Sequence, residues 1–398
     1  MQKFKYHMFV GVLVAAVAGL VICAPGVSLA QNDQVVSKSQ MTGQRLTAAE
    51  VAEVQAFWTP QRMQEAIPML PMRDISEMQA APTLTIPPTG PATKVFSGKP
   101  GDQVKVLTGE AAKQRTSGLQ GIEPLYSGGS FWTYTRYRIF PENKGKLYLE
   151  FPYRLVGKLY FVGTNGGLYV ASASVVGAAN YSVIWTAAHC VYTNTLVGSP
   201  QGFNSYWFFL PGEYAGKTKL GVVKDLFGIG LSKGWVAWDA WVATAWAYSN
   251  YWPYDFGALV IVPSKKGPIA AVLGWLGILF NVSAIQQWTL LGYPAQAQVN
   301  PDPPGYSFDG EHQELCASTY NGSDKIEGGN YTMGTGCDQT PGCSGGPWII
   351  DFNPLGGDSN YVNGNFSYYY GPGTLRSYSS YYNATAYNVW YAAQTDVP

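Results

Sequence analysis

Charge is scarce in this chain: Asp, Glu, Lys and Arg together make up 13% of its residues, about half the usual share for a globular protein. The 25 basic and 25 acidic side chains cancel, so no basic stripe can form and a nucleic-acid role loses its electrostatic basis. Histidine is rarer still, at three residues. Five cysteines in 398 residues are too few for a small disulfide-built scaffold. They allow one or two staples in an oxidising compartment. Aromatics, by contrast, reach 15%, including 28 tyrosines, and there are 46 glycines. That composition suits strands and turns, and neither a helical bundle nor a disordered chain. The length accommodates one large all-β domain with additions, or two ordinary domains.

The N-terminus carries Lys3 and Lys5, an apolar run from Phe9 to Ile22, and the small-residue site Ser28-Leu29-Ala30. This is the order of a secretory signal peptide cleaved after Ala30. The run is short of the ~20 apolar residues that span a bilayer, and the bulky Ile22 argues against lipid attachment at Cys23. No stable membrane association is expected, and the expected location is secreted or periplasmic. Residues 31–130 read as a helical piece followed by a tether. Thr47-Ala48-Ala49-Glu50 forms a capping box, and Thr59-Pro60 a second cap with Pro in the first turn. Six prolines from Pro71 to Pro100 mark an extended, solvated linker. From residue 146 short strands alternate with Gly, Asn and Pro, at Lys146–Phe151, Lys158–Val162, Leu168–Val176, Ser182–Thr186, Ser205–Leu210, Phe256–Val262, Gln287–Gly292 and Gly346–Ile350. Only the end, with Ala386, Val389, Trp390 and Ala393, has helical spacing.

Two motifs carry chemistry: Thr186-Ala187-Ala188-His189-Cys190 and Gly342-Cys343-Ser344-Gly345-Gly346-Pro347. A serine hydroxyl is a weak nucleophile until an imidazole takes its proton. Glycines around it let backbone N–H groups turn toward a developing oxyanion. A carboxylate must orient the imidazole. Asp225, Asp239 and Asp255 lie between the two motifs, and Asp255 opens a buried-strand pattern, Asp255-Phe256-Gly257-Ala258-Leu259-Val260-Ile261. Taken singly, His189 could be a satisfied core histidine, Ser344 part of a Gly-rich turn, and Asp255 the end of a surface strand.

Together these residues resemble the trypsin/chymotrypsin family of serine endopeptidases, in its bacterial secreted branch. The stretch Cys337-Asp338-Gln339-Thr340-Pro341-Gly342-Cys343-Ser344-Gly345-Gly346-Pro347-Trp348 is similar to that branch's serine motif, departing at Pro341 and Cys343. Tyr206–Gly212, Leu291–Ala295 and Trp58–Met63 follow its order along the chain. The resemblance implies two antiparallel six-stranded β-barrels with a C-terminal helix, spanning residues 131–398. It implies His189, Asp255 and Ser344 as the catalytic residues, and the N–H groups of Gly342 and Ser344 as an oxyanion hole. It also implies a Cys316–Cys337 disulfide, a protein or peptide substrate and a zymogen with a removable propeptide; the exposed linker places the cut between it and the first barrel strand, around residues 100–140, with Arg115 the site if the enzyme prefers basic residues. No cofactor or metal is implied.

The departures have consequences. Cys190 lacks its usual upstream partner and Cys343 replaces the residue before the nucleophile, so a Cys190–Cys343 bridge and two free thiols both remain open. A zinc site of His189, Cys190 and Cys343 lacks ligand spacing. Cys343 also offers no carboxylate to receive an N-terminal ammonium. For the specificity pocket the sequence offers Asp338 and Ser367, and Phe366 stands where glutamate-selective relatives carry histidine. The alternative is a secreted binding protein on an inactivated protease fold, with Tyr and Trp as its contact surface. The oligomeric state is not encoded.

Overall fold

The computed structural model describes residues 35–74, 76, 90–100, 124–128, 132–139, 147–194, 200–214, 234–249, 251–296, 307–326, 330–354, 356 and 358–397. The expected signal peptide, Arg115 and Asp225 lie outside them.

Six strands of alternating or continuous apolar pattern build the first half: β1 (Val156–Val162), β2 (Leu168–Val175), β3 (Val183–Thr186), β4 (Ser205–Pro211), β5 (Trp235–Ala243) and β6 (Gly257–Ile261). They pair antiparallel in the order β5-β4-β1-β2-β3-β6, and β6 returns to β5, closing a barrel. Leu159, Phe161, Ala171, Val175, Ile184 and Val260 are wholly buried in its core.

The second half is a sheet of β7 (Gly277–Phe280), β8 (Gln287–Gly292), β9 (Glu314–Ile326), β10 (Asn330–Gly336), β11 (Pro347–Ile350), β12 (Tyr361–Asn365) and β13 (Arg376–Ser380). Its order is β13-β10-β9-β8-β11-β12-β7, with Tyr134–Arg138 added alongside β9. Pairing is antiparallel except for β7 on β12. The all-β expectation and the C-terminal helix are met; of the two six-stranded barrels expected, the first is the closed barrel and the second half is the sheet just described.

Helices form where the sequence supplies caps. Helix α1 (Ala48–Phe57) starts on the Thr47–Glu50 capping box, and α2 (Pro60–Glu65) on the Thr59 cap. Helix α3 (Ala384–Thr395) starts where the Asn383 side chain accepts the Thr385 and Ala386 N–H groups at 2.9 and 3.2 Å. It buries Ala386, Val389, Trp390 and Ala393. Among the described residues, no helix is long and apolar enough to cross a membrane.

Three expectations change. Leu147–Leu149, read as strand, forms a 3-10 turn. Pro152 lies just beyond it and offers no N–H to continue a ladder, while Tyr148 stacks on Tyr214 with ring centroids 4.9 Å apart. Thr244–Ser249 and Ile269–Leu273 are short helices that the sequence did not announce. Residues 93–100, read as solvated linker, add strands instead: Thr93–Val95 pairs with β7, and Lys99–Pro100 with Gly274–Trp275. In the first half, Val35–Ser37 pairs with β5.

Candidate active site

His189 follows β3 in a one-turn 3-10 helix, Ala188–Cys190. Small residues make this approach possible: a Cβ on Gly257 of neighbouring β6 would stand 2.9 Å from Val191 and 3.4 Å from the Ala188 Cα. Asp255 ends the turn Trp252–Tyr254 immediately before β6. Its Oδ1 accepts the His189 backbone N–H at 2.9 Å, and its Oδ2 lies 2.9 Å from His189 Nδ1. The other ring nitrogen, Nε2, is 2.7 Å from Ser344 Oγ. The three residues that the sequence set 66 and 155 positions apart from one another thus stand in one hydrogen-bonded line.

Ser367, expected in the specificity pocket, instead donates its hydroxyl to Asp255 Oδ2 at 2.5 Å. Asn365 Nδ2 donates to the Asp255 carbonyl at 3.1 Å, its Oδ1 accepts from Tyr382 Oη at 2.8 Å, and Trp185 Nε1 donates to that same Tyr382 oxygen at 2.6 Å. The sequence reading missed Asn365, Tyr382 and Trp185 as supports of the carboxylate. An Asn two residues before Ser367 inside a buried strand was the one available signal. Burial disfavours the His189 imidazolium, but Asp255, with Cys190, outweighs it and pushes the imidazole up to about 10.

Ser344 sits in a backbone turn only glycine allows. Gly342 and Gly345 have φ of 110° and 75°. A Cβ at Gly345 would fall 1.9 Å from Thr186 Oγ1, and one at Gly342 2.3 Å from the Tyr293 carbonyl. In this turn the N–H groups of Gly342 and Ser344 converge on a single acceptor, the Met69 carbonyl, at 2.7 and 3.4 Å. Two donors aimed at one oxygen form a site suited to developing negative charge.

Asp338 is not a bare carboxylate at a pocket floor. It is buried and paired with the buried Arg136 at 3.1 Å. Burial raises its carboxyl, against Arg136. Cys316 and Cys337 form the expected disulfide. Cys190 and Cys343 are buried free thiols, so the bridge between them does not form. Both His189 ring nitrogens are engaged, which leaves the weighed zinc reading without an imidazole ligand. A further metal-type cluster, Cys316, Cys337 and Asp338, has its two sulfurs joined to each other. Asp239 faces elsewhere: its Oδ1 accepts the Ser39 N–H at 3.0 Å and its Oδ2 the Ser39 hydroxyl.

No family model and no curated protein matches this chain. Solved structures do. The protease Anisep from Arthrobacter nicotinovorans is 27% identical, the match covering 61% of this chain and 96% of that one, with a TM-score of 0.48. A thermostable serine protease, AL20, from an extremophilic microorganism is 26% identical over 61% of this chain and 97% of its own, with a TM-score of 0.47. A Glu endopeptidase is 16% identical over 65% and 96%, with a TM-score of 0.42. The chain is thus similar to these solved proteases.

Proposed function

We propose that this protein is a secreted serine endopeptidase. The observation that carries the reading is the continuous line Asp255 Oδ2, His189 Nδ1, His189 Nε2, Ser344 Oγ, with both links between 2.7 and 2.9 Å. In this reading His189 Nε2 takes the Ser344 proton as Oγ attacks a peptide carbonyl carbon. The resulting oxyanion moves between the Gly342 and Ser344 N–H groups, and Asp255 stabilises the imidazolium that forms. His189 then delivers the proton to the leaving nitrogen, and the C–N bond breaks. Water repeats the sequence on the acyl-enzyme and releases the acid. Residues 1–30 act as a signal peptide, 31–130 as a propeptide with linker, and 131–398 as the protease unit.

Ser344→Ala is expected to abolish peptide hydrolysis by the processed protein without lowering its thermal midpoint. A serine-directed phosphonate is expected to add to Ser344 of the processed wild type. Near-normal turnover in the variant, or an unlabelled serine, overturns the reading in favour of a binding role. N-terminal sequencing of the processed protein checks the boundary, and a start at Gln31 in fully active enzyme contradicts it.

A further inference from the structure

Ala66–Arg73 lies across the cleft. Upstream, Ile67 and Pro68 pair in parallel with Tyr169 and Val170 of β2, and the Met69 N–H donates to the Val170 carbonyl at 2.8 Å. The Met69 carbonyl then accepts from Gly342 and Ser344, as described above. Downstream, the Tyr369 N–H donates to the Pro71 carbonyl at 3.2 Å, the Arg73 N–H donates to the Tyr369 carbonyl at 2.9 Å, and Met72 bridges Tyr369 in parallel. The Arg73 guanidinium lies 5.4 and 5.5 Å over the rings of Trp252 and Tyr368. The segment thus holds both edges of the cleft and both oxyanion donors. Ser344 is wholly buried, which a nucleophile meeting an external peptide bond cannot be.

The direction of this strand matters. For hydrolysis, the nitrogen that leaves must face His189, which the first barrel carries. Here the residues along that barrel, Ile67–Met69, precede the Met69 carbonyl. The residues that follow it run along Tyr369 in the second half. The leaving nitrogen, that of Leu70, is therefore on the side away from His189. The backbone occupies the oxyanion donors in a sense that does not lead to cleavage.

The residue that follows the Met69 carbonyl is informative. Leu70 sits between the Met69 and Pro71 anchors and is 6% exposed, within the apolar cluster that contains Cys337, Cys343, Phe366 and Tyr369. Asp338, which would read a basic side chain, is already compensated by Arg136 at 3.1 Å. Phe366, wholly buried in the same cluster, offers an acidic side chain no donor. A charge brought into such apolar surroundings loses its hydration.

We propose that the pocket beside Ser344 selects a leucine-sized aliphatic side chain, and that Leu70, carried by a strand running against the cleavable direction, fills it until the segment is removed. The inference rests on the hydrolytic reading above and deepens it. Two measurements on the full chain and one on the processed protein test it. In the full chain, Leu70→Asp is expected to raise turnover of a leucyl reporter peptide at least tenfold over wild type, with Leu70→Ala between them. A synthetic peptide of residues 64–75 is expected to inhibit the processed enzyme and to survive overnight uncut between Met69 and Leu70, whereas its Leu70→Arg version inhibits at least tenfold more weakly. The processed enzyme is expected to show kcat/KM at least tenfold higher for leucine than for arginine or glutamate before the scissile bond. A preference for arginine or glutamate overturns the pocket assignment, and scission at Met69–Leu70 overturns the strand sense. Equal inhibition by the two peptides overturns the occupancy even if a variant fails to fold. Absence of hydrolysis and of phosphonate labelling in every form falls on the hydrolytic reading instead.

Discussion

The two halves that meet at Ser344 are built by different means. The barrel that carries His189 and Asp255 wholly buries Leu159, Val175, Ile184, Leu259 and Val260, and its buried cations Arg154 and Lys158 donate to backbone carbonyls, of Leu273 at 2.8 Å and Gly310 at 2.7 Å. The half that carries Ser344 buries its charge as ion pairs: Arg136 pairs with Asp338 at 3.1 Å and Arg138 with Glu314 at 2.5 Å, both out of solvent. Thr332, Ser377, Ser379 and Asn363 are buried in the same half. The core behind the base is therefore packed without direction, which tolerates small changes of volume. The nucleophile is framed by directional pairs, in which loss of one partner strands the other.

That contrast predicts a ranking of damage. Asp255→Asn stands at the junction and should lower kcat on the order of 10⁴-fold through the wrong imidazole tautomer, as read by steady-state peptide hydrolysis. In the ion-paired half, Arg136→Met leaves Asp338 buried without its counter-charge. It should cost about 3–5 kcal/mol in a denaturant titration, and a loss under 1 kcal/mol would erase the contrast. Reducing Cys316–Cys337, or replacing both by serine, should cost roughly 3 kcal/mol in the chain-entropy model for a loop of this size. In the barrel, Ile184→Val should cost only about 1 kcal/mol.

A pH profile sharpens the same comparison at the interface. His189 must be neutral to accept a proton, and Asp255 holds its pKa above the ordinary value. The processed wild type should therefore gain kcat/KM with rising pH, with its midpoint above about 6.5. In Asp255→Asn the cause of the elevation is gone, so the residual rate should have its midpoint at lower pH. An unchanged midpoint would assign the titration to another group.

The sequence made the line His189–Asp255–Ser344 legible because each member sits in a run of small or apolar letters with a backbone purpose. Ala187 and Ala188 admit the turn, Gly257 opens the strand beside it, and Gly342 and Gly345 fold the nucleophile loop. The strands Leu168–Val175 and Gln287–Gly292 were legible from their patterning and flanking turn residues. The role of Ala66–Arg73 was not legible. Its partners, Val170, Ser344 and Tyr369, lie about 100 to 300 residues away. Between prolines, a segment with a long-range partner and one with none read alike. Ser367 was misplaced for a related reason: its position beside the pocket follows from the motif, but the direction of its hydroxyl follows from where the turn before β6 delivers Asp255.

The strand Val35–Ser37 on β5 and the strand Thr93–Val95 on β7 bracket the segment in the cleft, one on each half. The occupant is thus tethered at both ends, and its effective concentration at the donors of Gly342 and Ser344 is that of an intramolecular ligand. One cut in the connecting chain turns it into a separate molecule whose occupancy follows ordinary mass action. Opening the cleft then depends on dilution: the same cut chain would stay closed where it is made, at high local concentration, and open as it spreads into a larger volume.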